Sequence, residues 1–276
     1  MTDALRLAGE LNAYDDAPEG TQLARFQTGV DRRRQAHYHA CTGIASEAFG
    51  EVADVTILAQ DNSRATTRAG LPNDGRVHIR HVIRQRGRVR LGEELVINGR
   101  IGPYRQTRRG KLLTCLFGFL RGDASVPLEM ETEYLLPFAA PPAARPAAER
   151  AARPADADPL AGMTLTGELV LTPERVTGYS SEVGNRIHFD PEFAKAAGYE
   201  APLAQGLMEL TALHGALVQE FGPPEQIDLE VRFLRPVTWE AALEIVRDAE
   251  ARTWRCVGAD GRVTAEMTVS RLQLRP

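Results

Sequence analysis

Val237-Thr238-Trp239-Glu240-Ala241-Ala242-Leu243-Glu244-Ile245 repeats the pattern of Val89-Arg90-Leu91-Gly92-Glu93-Glu94-Leu95-Val96-Ile97 at a constant offset of 148 residues. Apolar residues coincide at Val89 and Val237, Leu91 and Trp239, Leu95 and Leu243, and Ile97 and Ile245. That alternation is the two-residue period of a half-buried strand, in the first copy entered through a glycine turn. The surroundings repeat as well. A helical segment lies upstream of each copy, Phe49 to Ala69 in the first half and Gly206 to Phe221 in the second. Two strand-like runs follow each: Gly110 to Phe119 and Leu128 to Leu135, then Thr253 to Val257 and Val263 to Leu274. A helix followed by an antiparallel meander, occurring twice, predicts an α+β chain of two units, each a curved sheet wrapping a helix. Paired edge to edge, such units form a pseudo-dimer within one chain.

The boundary between the units is compositional. Residues 139–159 read AAPPAARPAAERAARPADADP, alanine, proline and charge with no periodic apolar face. Such a stretch cannot bury enough surface to offset its ordering and reads as a tether. The expected division is a unit over 1–138, a linker over 139–161 and a second unit over 162–276. With 43% hydrophobic and 25% charged residues, the 276-residue chain has an ordinary globular composition. A net charge of −4 with scattered arginines speaks against nucleic acid as a partner. No run of about 18 apolar residues suggests a membrane span. Met1-Thr2-Asp3-Ala4-Leu5 lacks a signal-like start, so a cytoplasmic location is expected. Cys41, Cys115 and Cys256 are odd in number and far apart, as expected of buried thiols.

Chemistry concentrates in the second unit. Thr172-Pro173-Glu174 is a cap-plus-proline start that predicts a helix over Glu174 to Glu182. Asn185-Arg186-Ile187-His188-Phe189 fits neither period and reads as a loop. Asp190-Pro191-Glu192 caps a second helix, Phe193 to Ala197, stopped by Gly198. His188 is thereby held between two helices. After Pro202, the run Leu203-Ala204-Gln205-Gly206-Leu207-Met208 opens an apolar helix, expected to be the buried central one. Gly206 falls in its first turn, where free N–H groups and the positive dipole end suit an oxyanion.

In register, Asn185, Ile187, His188 and Asp190, then Gly198-Tyr199, Pro202, Ala204, Gly206 and Leu207, resemble the signature of the MaoC-like hydratase/dehydratase family of hotdog folds. Arg232-Phe233-Leu234-Arg235-Pro236-Val237 resembles the family's strand after the central helix. The resemblance covers Gly162 to Pro276. It implies a double hotdog whose first unit lacks the signature, and reversible hydration of 2-enoyl thioesters to 3-hydroxyacyl thioesters on CoA or acyl carrier protein. It further implies His188 as general acid/base, the Gly206 N–H on the thioester oxygen, and Asn185 near the water. Gln205, Leu207, Arg186 and Tyr179 are then expected to contact substrate, with no cofactor and no metal. The expected assembly is a monomeric pseudo-dimer or a homodimer.

The chain departs from the family where it matters most. The family's aspartate, five residues before the histidine, falls on Val183; if Tyr179 and Gly184 are matched instead, the loop is two residues short and the aspartate is deleted. Glu182 is the nearby carboxylate that would substitute. Gln205 replaces a histidine before the helix glycine, and Arg186 a proline. Two alternatives stay open: a non-catalytic acyl-thioester-binding protein, or a hotdog thioesterase using Glu209, a residue expected to face polar neighbours. His78 and His81 lie on a strand-like run and are expected on opposite faces of a sheet. His37 and His39 share a side if extended, with no carboxylate completing a site. His214 is expected to be packed in the central helix, and Arg105, Arg108, Arg109 and Lys111 to form a basic hairpin loop.

Overall fold

A single antiparallel sheet carries both units. The computed structural model describes residues 14, 17–137 and 160–275, so the expected linker, apart from its last two residues, and the first residues of the chain lie outside it. Among the described residues the strands are β1 (Phe26–Thr28), β2 (Val77–Gln85), β3 (Leu95–Gln106), β4 (Gly110–Leu120), β5 (Leu128–Pro137), β6 (Thr164–Leu171), β7 (Gln226–Phe233), β8 (Ala241–Arg247), β9 (Thr253–Gly258) and β10 (Val263–Gln273). Their order is β1-β3-β4-β5-β2-β7-β10-β9-β8-β6. Read from the centre outward, each half runs in the same sense, so β2 corresponds to β7 and β3 to β8. The repeat seen in sequence, Leu95 with Leu243 and Ile97 with Ile245, lies on that corresponding pair. This is the double-hotdog pseudo-dimer.

The halves join through β2 and β7, paired from Arg80 with Arg232 to Gln85 with Ile227. Two arginines would face each other at one end, but Glu230 accepts from both, at 2.8 Å each. These charges are partly exposed and set register more than stability. The backbone ladder and the apolar faces supply most of the join.

The helices are α1 (Arg32–Thr42), α2 (Ala59–Arg68), α3 (Pro173–Tyr179), α4 (Pro191–Ala196) and α5 (Gly206–Phe221). α5 is the expected central helix: Leu207 through Val218 are all buried. The first unit differs from the expected helix over Phe49 to Ala69. Gly50, at φ 56°, breaks the chain after a 3-10 turn over Ser46–Phe49. Asp54 then caps a second 3-10 turn, Val55–Leu58, by accepting from Thr56 N at 3.0 Å, and only α2 remains regular.

α1 has no counterpart among the expected elements. Asp31 caps it at Arg34 N (2.7 Å) and Gly43 ends it at φ 77°. Its buried residues are Gln35, Tyr38, His39, Cys41 and Thr42, so the inward face is largely polar and carries no hydrophobic period. His39 is therefore helical, and a carboxylate does meet it: Asp54 accepts from His39 at 3.0 Å and from His214 of α5 at 3.0 Å. Burial alone would raise the Asp54 carboxyl, but the two histidines hold it well below the usual range. The packed His214 thereby ties α5 to the first unit. All three cysteines are buried and unbridged.

Candidate active site

Local capping fixes the loop that carries His188. Thr172 accepts from Arg175 N at 3.3 Å and Pro173 opens α3, as expected. The helix stops at Tyr179, three residues earlier than expected, and Gly184 (φ 64°) turns the chain toward the site. Asn185 Oδ1 accepts from Ile187 N at 3.3 Å, which starts a 3-10 turn over Arg186–His188. Asp190 accepts from Phe193 N at 3.0 Å and is a helix cap. Behind the loop, Leu203 N donates to Ile187 O (2.9 Å), Ala204 N to Val237 O (2.8 Å) and Trp239 Nε1 to His188 O (3.2 Å). The backbone of His188 is thus held from both sides.

Its side chain is equally constrained. Nδ1 lies 2.8 Å from Leu203 O. A carbonyl only accepts, so Nδ1 carries the proton and Nε2 keeps a lone pair. Burial pushes the imidazole down to about 4, against the Leu203 carbonyl and Asp74, which pull the other way. His188 is therefore neutral at pH 7, with a lone pair on Nε2 able to accept a proton.

His188 lines a cleft of about 470 Å³ between the units, together with Gly206, Asn185, Gln205 and Leu207. Gly206 is the first residue of α5, and Gln205 before it offers no side-chain cap to the free N–H groups. A β-carbon on Gly206 would lie 2.6 Å from Phe233 Cδ1, so only glycine lets that ring, also in the cleft wall, close over the helix start.

The other three expected site residues lie off the cleft lining. Glu182 accepts from Arg34 Nε and Nη2 at 3.1 and 2.6 Å, with Arg64 at 3.9 Å. Its carboxylate is thus taken up by arginines of the first unit rather than filling the gap left by Val183. Arg186 pairs with Asp74 at 3.0 Å and stacks over Phe193, 4.1 Å from the ring centre. Tyr179 is buried beneath the first turn of α5, donating to Leu207 O at 2.7 Å and touching Thr211 Oγ1 at 2.8 Å. It braces the helix start from behind.

Four residues that sequence reasoning leaves out of the site, or reads otherwise, also line the cleft: Asn73, Arg76, His78 and Glu209. Asn73 Nδ2 donates to Val183 O at 2.9 Å, and Asn185 Nδ2 reaches Asn73 O at 3.4 Å. The Val183 carbonyl fixes the amide's orientation, and Asn73 Oδ1 is left buried with no partner. In sequence, Leu71-Pro72-Asn73-Asp74-Gly75 shows only a turn.

His78 and His81, expected on opposite faces, instead bring their rings together edge to face at 5.4 Å. His78 pairs with Tyr134 and Arg80 with Glu133, so Ile79 is an extra, bulged residue that resets the alternation. β2 pairs with β7 only from Arg80 onward, so the cleft opens at this bulge. Glu209 is buried rather than set among polar surface neighbours, and burial pushes its carboxyl up to about 8. Thr264 Oγ1 lies 2.5 Å from Glu209 Oε1 and 3.2 Å from Cys256 O. A hydroxyl with one proton can donate to the carbonyl and accept from a protonated carboxyl, which fits a neutral Glu209. On the β3–β4 hairpin, Arg109 reaches the cleft lining while Arg105 pairs with Glu133 at 3.3 Å. Among the described residues no group of three or more His, Cys, Asp or Glu side chains is placed to hold a metal, and no helix is long and apolar enough to cross a membrane.

Fold and site together define a class, the double-hotdog proteins, here with a histidine and a helix N-terminus on one cleft. Residues 162–269 match the family model of the MaoC like domain. Among solved structures, the chain is similar to HtdX of Mycobacterium tuberculosis, at 20% identity and a TM-score of 0.69, covering 89% of this chain and 98% of that one. It is also similar to a MaoC-like dehydratase of Phytophthora capsici, at 18% identity and a TM-score of 0.66, covering 93% and 97% of the two chains. A conserved hypothetical protein of M. tuberculosis with a double hotdog fold shares 12% identity at a TM-score of 0.64, covering 93% and 96%. At these identities the likeness is one of fold. No curated protein matches the chain by sequence.

Proposed function

We propose that this chain is a MaoC-like hydratase/dehydratase acting on 2-enoyl and 3-hydroxyacyl thioesters of CoA or an acyl carrier protein. The observation that carries the reading is a neutral His188, its Nε2 lone pair free, on the same cleft as the uncapped N-terminus of α5 at Gly206. In hydration, Nε2 takes a proton from water as the water oxygen bonds to C3 of the enoyl chain. Negative charge moves onto the thioester oxygen, where the Gly206 N–H stabilises it by about 3 kcal/mol. The imidazolium then returns the proton to C2 from the same face, giving syn addition. One histidine thus serves as base and then acid, and dehydration reverses the steps.

In this reading the water is held by Asn73 and Asn185, which both line the cleft. Asn73 Oδ1 is a buried, unpartnered acceptor on an amide held by the carbonyl of Val183, the residue that takes the sequence position of the family's aspartate. An amide orients water but takes no proton, so turnover is expected to be slower, by a part of the ~10²–10⁴ that a positioned base supplies. The remaining groups still act together. The proposed division of labour gives residues 162–276 the chemistry and 1–138 one wall of the cleft, with 139–161 as linker. The assembly is proposed to be a monomeric pseudo-dimer or a homodimer in the cytoplasm.

The replacement of the aspartate by Val183 favours one second reading, an acyl-thioester binder without turnover. Following enoyl absorbance with crotonyl-CoA and a longer 2-enoyl-CoA separates the two. Hydration supports the proposal, and binding without turnover supports the second reading. Release of free CoA instead identifies a thioesterase.

A further inference from the structure

Arg76 is a buried cation without an acid. It is 8% exposed, yet no carboxylate of the described residues pairs with it. Nη1 donates to Tyr14 Oη and Thr66 Oγ1, both at 2.8 Å, and Nη2 to Ser63 Oγ at 3.1 Å. The guanidinium carbon sits 4.0 Å from the centre of the Tyr134 ring. All these partners are neutral: burial, the largest influence on each, raises the Tyr14 and Tyr134 hydroxyls, and it pushes the nearby Cys115 thiol up to about 12. Three of the five N–H donors are used, so two are not engaged by any described residue.

The cleft that Arg76 lines supplies no counter-charge. Its one carboxylate among the described lining residues is Glu209, which is neutral at pH 7, and its other charged side chains are Arg109 and Arg235. An unpaired buried charge is costly, and a guanidinium recovers most when a carboxylate meets it in bidentate fashion. The space also limits what can reach it. About 470 Å³ has to take the end of the carrier arm as well as the acyl chain, which leaves room for a short acyl group.

We infer that the cleft selects thioesters whose short acyl chain ends in a carboxylate, and that Arg76 binds that carboxylate. The inference rests on the thioester reading above for the position of the carbonyl. It assigns the first unit a specificity role: the acid/base residue comes from one unit and the anion site from the other.

The test compares glutaconyl-CoA, a 2-enoyl thioester ending in a carboxylate, with its methyl ester on the wild-type chain. A charged hydrogen-bonded pair implies a preference of roughly 10- to 100-fold in kcat/KM for the acid. Arg76→Met should erase most of that ratio, and Arg76→Lys should restore part of it. Equal use of acid and ester by the wild type overturns the inference and needs no variant, so misfolding of Arg76→Met cannot obscure it. If Arg76 instead met a CoA phosphate, the substitution would weaken both substrates alike and leave the ratio unchanged, which also overturns it. If neither compound is hydrated, crotonyl-CoA decides the hydratase reading, and binding decides the anion site separately. Glutaryl-CoA binding roughly tenfold or more tightly than its methyl ester sustains the inference, and equal affinity ends it.

Discussion

Replacing Glu209 with glutamine should change the stability of the fold in a pH-dependent way. The carboxyl is 2% exposed, and its folded value of about 8 stands against 4.5 for the free side chain. Between those values the folded chain holds a proton that the unfolded chain has lost. Stability due to this group is therefore full below about pH 4.5 and declines as pH rises through about 8. At about 1.4 kcal/mol per tenfold change in proton affinity, the wild type loses roughly 3 kcal/mol between pH 4.5 and 7, and roughly 1 more by pH 9. Glutamine keeps a hydrogen-bonding partner for Thr264 and has no charge to bury, so Glu209→Gln lacks this decline. Urea unfolding of both proteins from pH 5 to 9 measures the difference directly. A gap widening by about 4 kcal/mol from pH 5 to 9 supports a neutral buried Glu209. Parallel curves across the range would refute the argument, and with it the electropositive character assigned to the cleft.

Three other outcomes follow from the same geometry. With His188 held at about 4, the acid limb of kcat/KM should lie below pH 5, so a limb near 6.5 would show that the cleft does not desolvate the imidazole to that extent. Gly206→Ala puts a β-carbon 2.6 Å from Phe233 Cδ1 and should cost about 1–3 kcal/mol in thermal or urea unfolding, with a larger proportional loss of hydration. A Gly206→Ala variant of unchanged stability and rate would remove Gly206 from the site. Val183→Asp returns a proton acceptor to the cleft wall and should raise kcat by up to ~10², checked with crotonyl-CoA at pH 7. A folded but no faster variant would mean that Asn73 has taken over the water position in a way an aspartate cannot share.

Much of the second unit could be read from its residues because its signals are local. Thr172-Pro173 and Asp190-Pro191 cap helices wherever they occur, and α5 is apolar along its length. The first unit hid its features for a different reason. α1 buries Gln35 and His39 against Asp54 and turns the Thr42 hydroxyl back on its own carbonyls, so hydrogen bonding rather than apolar periodicity stabilises its inner face. The bulge at Ile79 brings the rings of His78 and His81 together, and no residue type announces it. Asn73 and Arg76 enter the cleft only because the units pack together. That contact joins residues more than 100 positions apart, beyond the range of any motif. Glu182, adjacent to the gap in sequence, is turned away because Arg34 lies closer once α1 is in place.

The most direct test of the account is the hydration rate of crotonyl-CoA by the wild type and by His188→Ala, measured beside the affinity of each for butyryl-CoA. The account predicts measurable hydration that falls by ~10²–10⁴ in His188→Ala, with butyryl-CoA affinity held within a few-fold. Hydration that survives the loss of His188, or a wild type that binds butyryl-CoA and hydrates nothing, would contradict it.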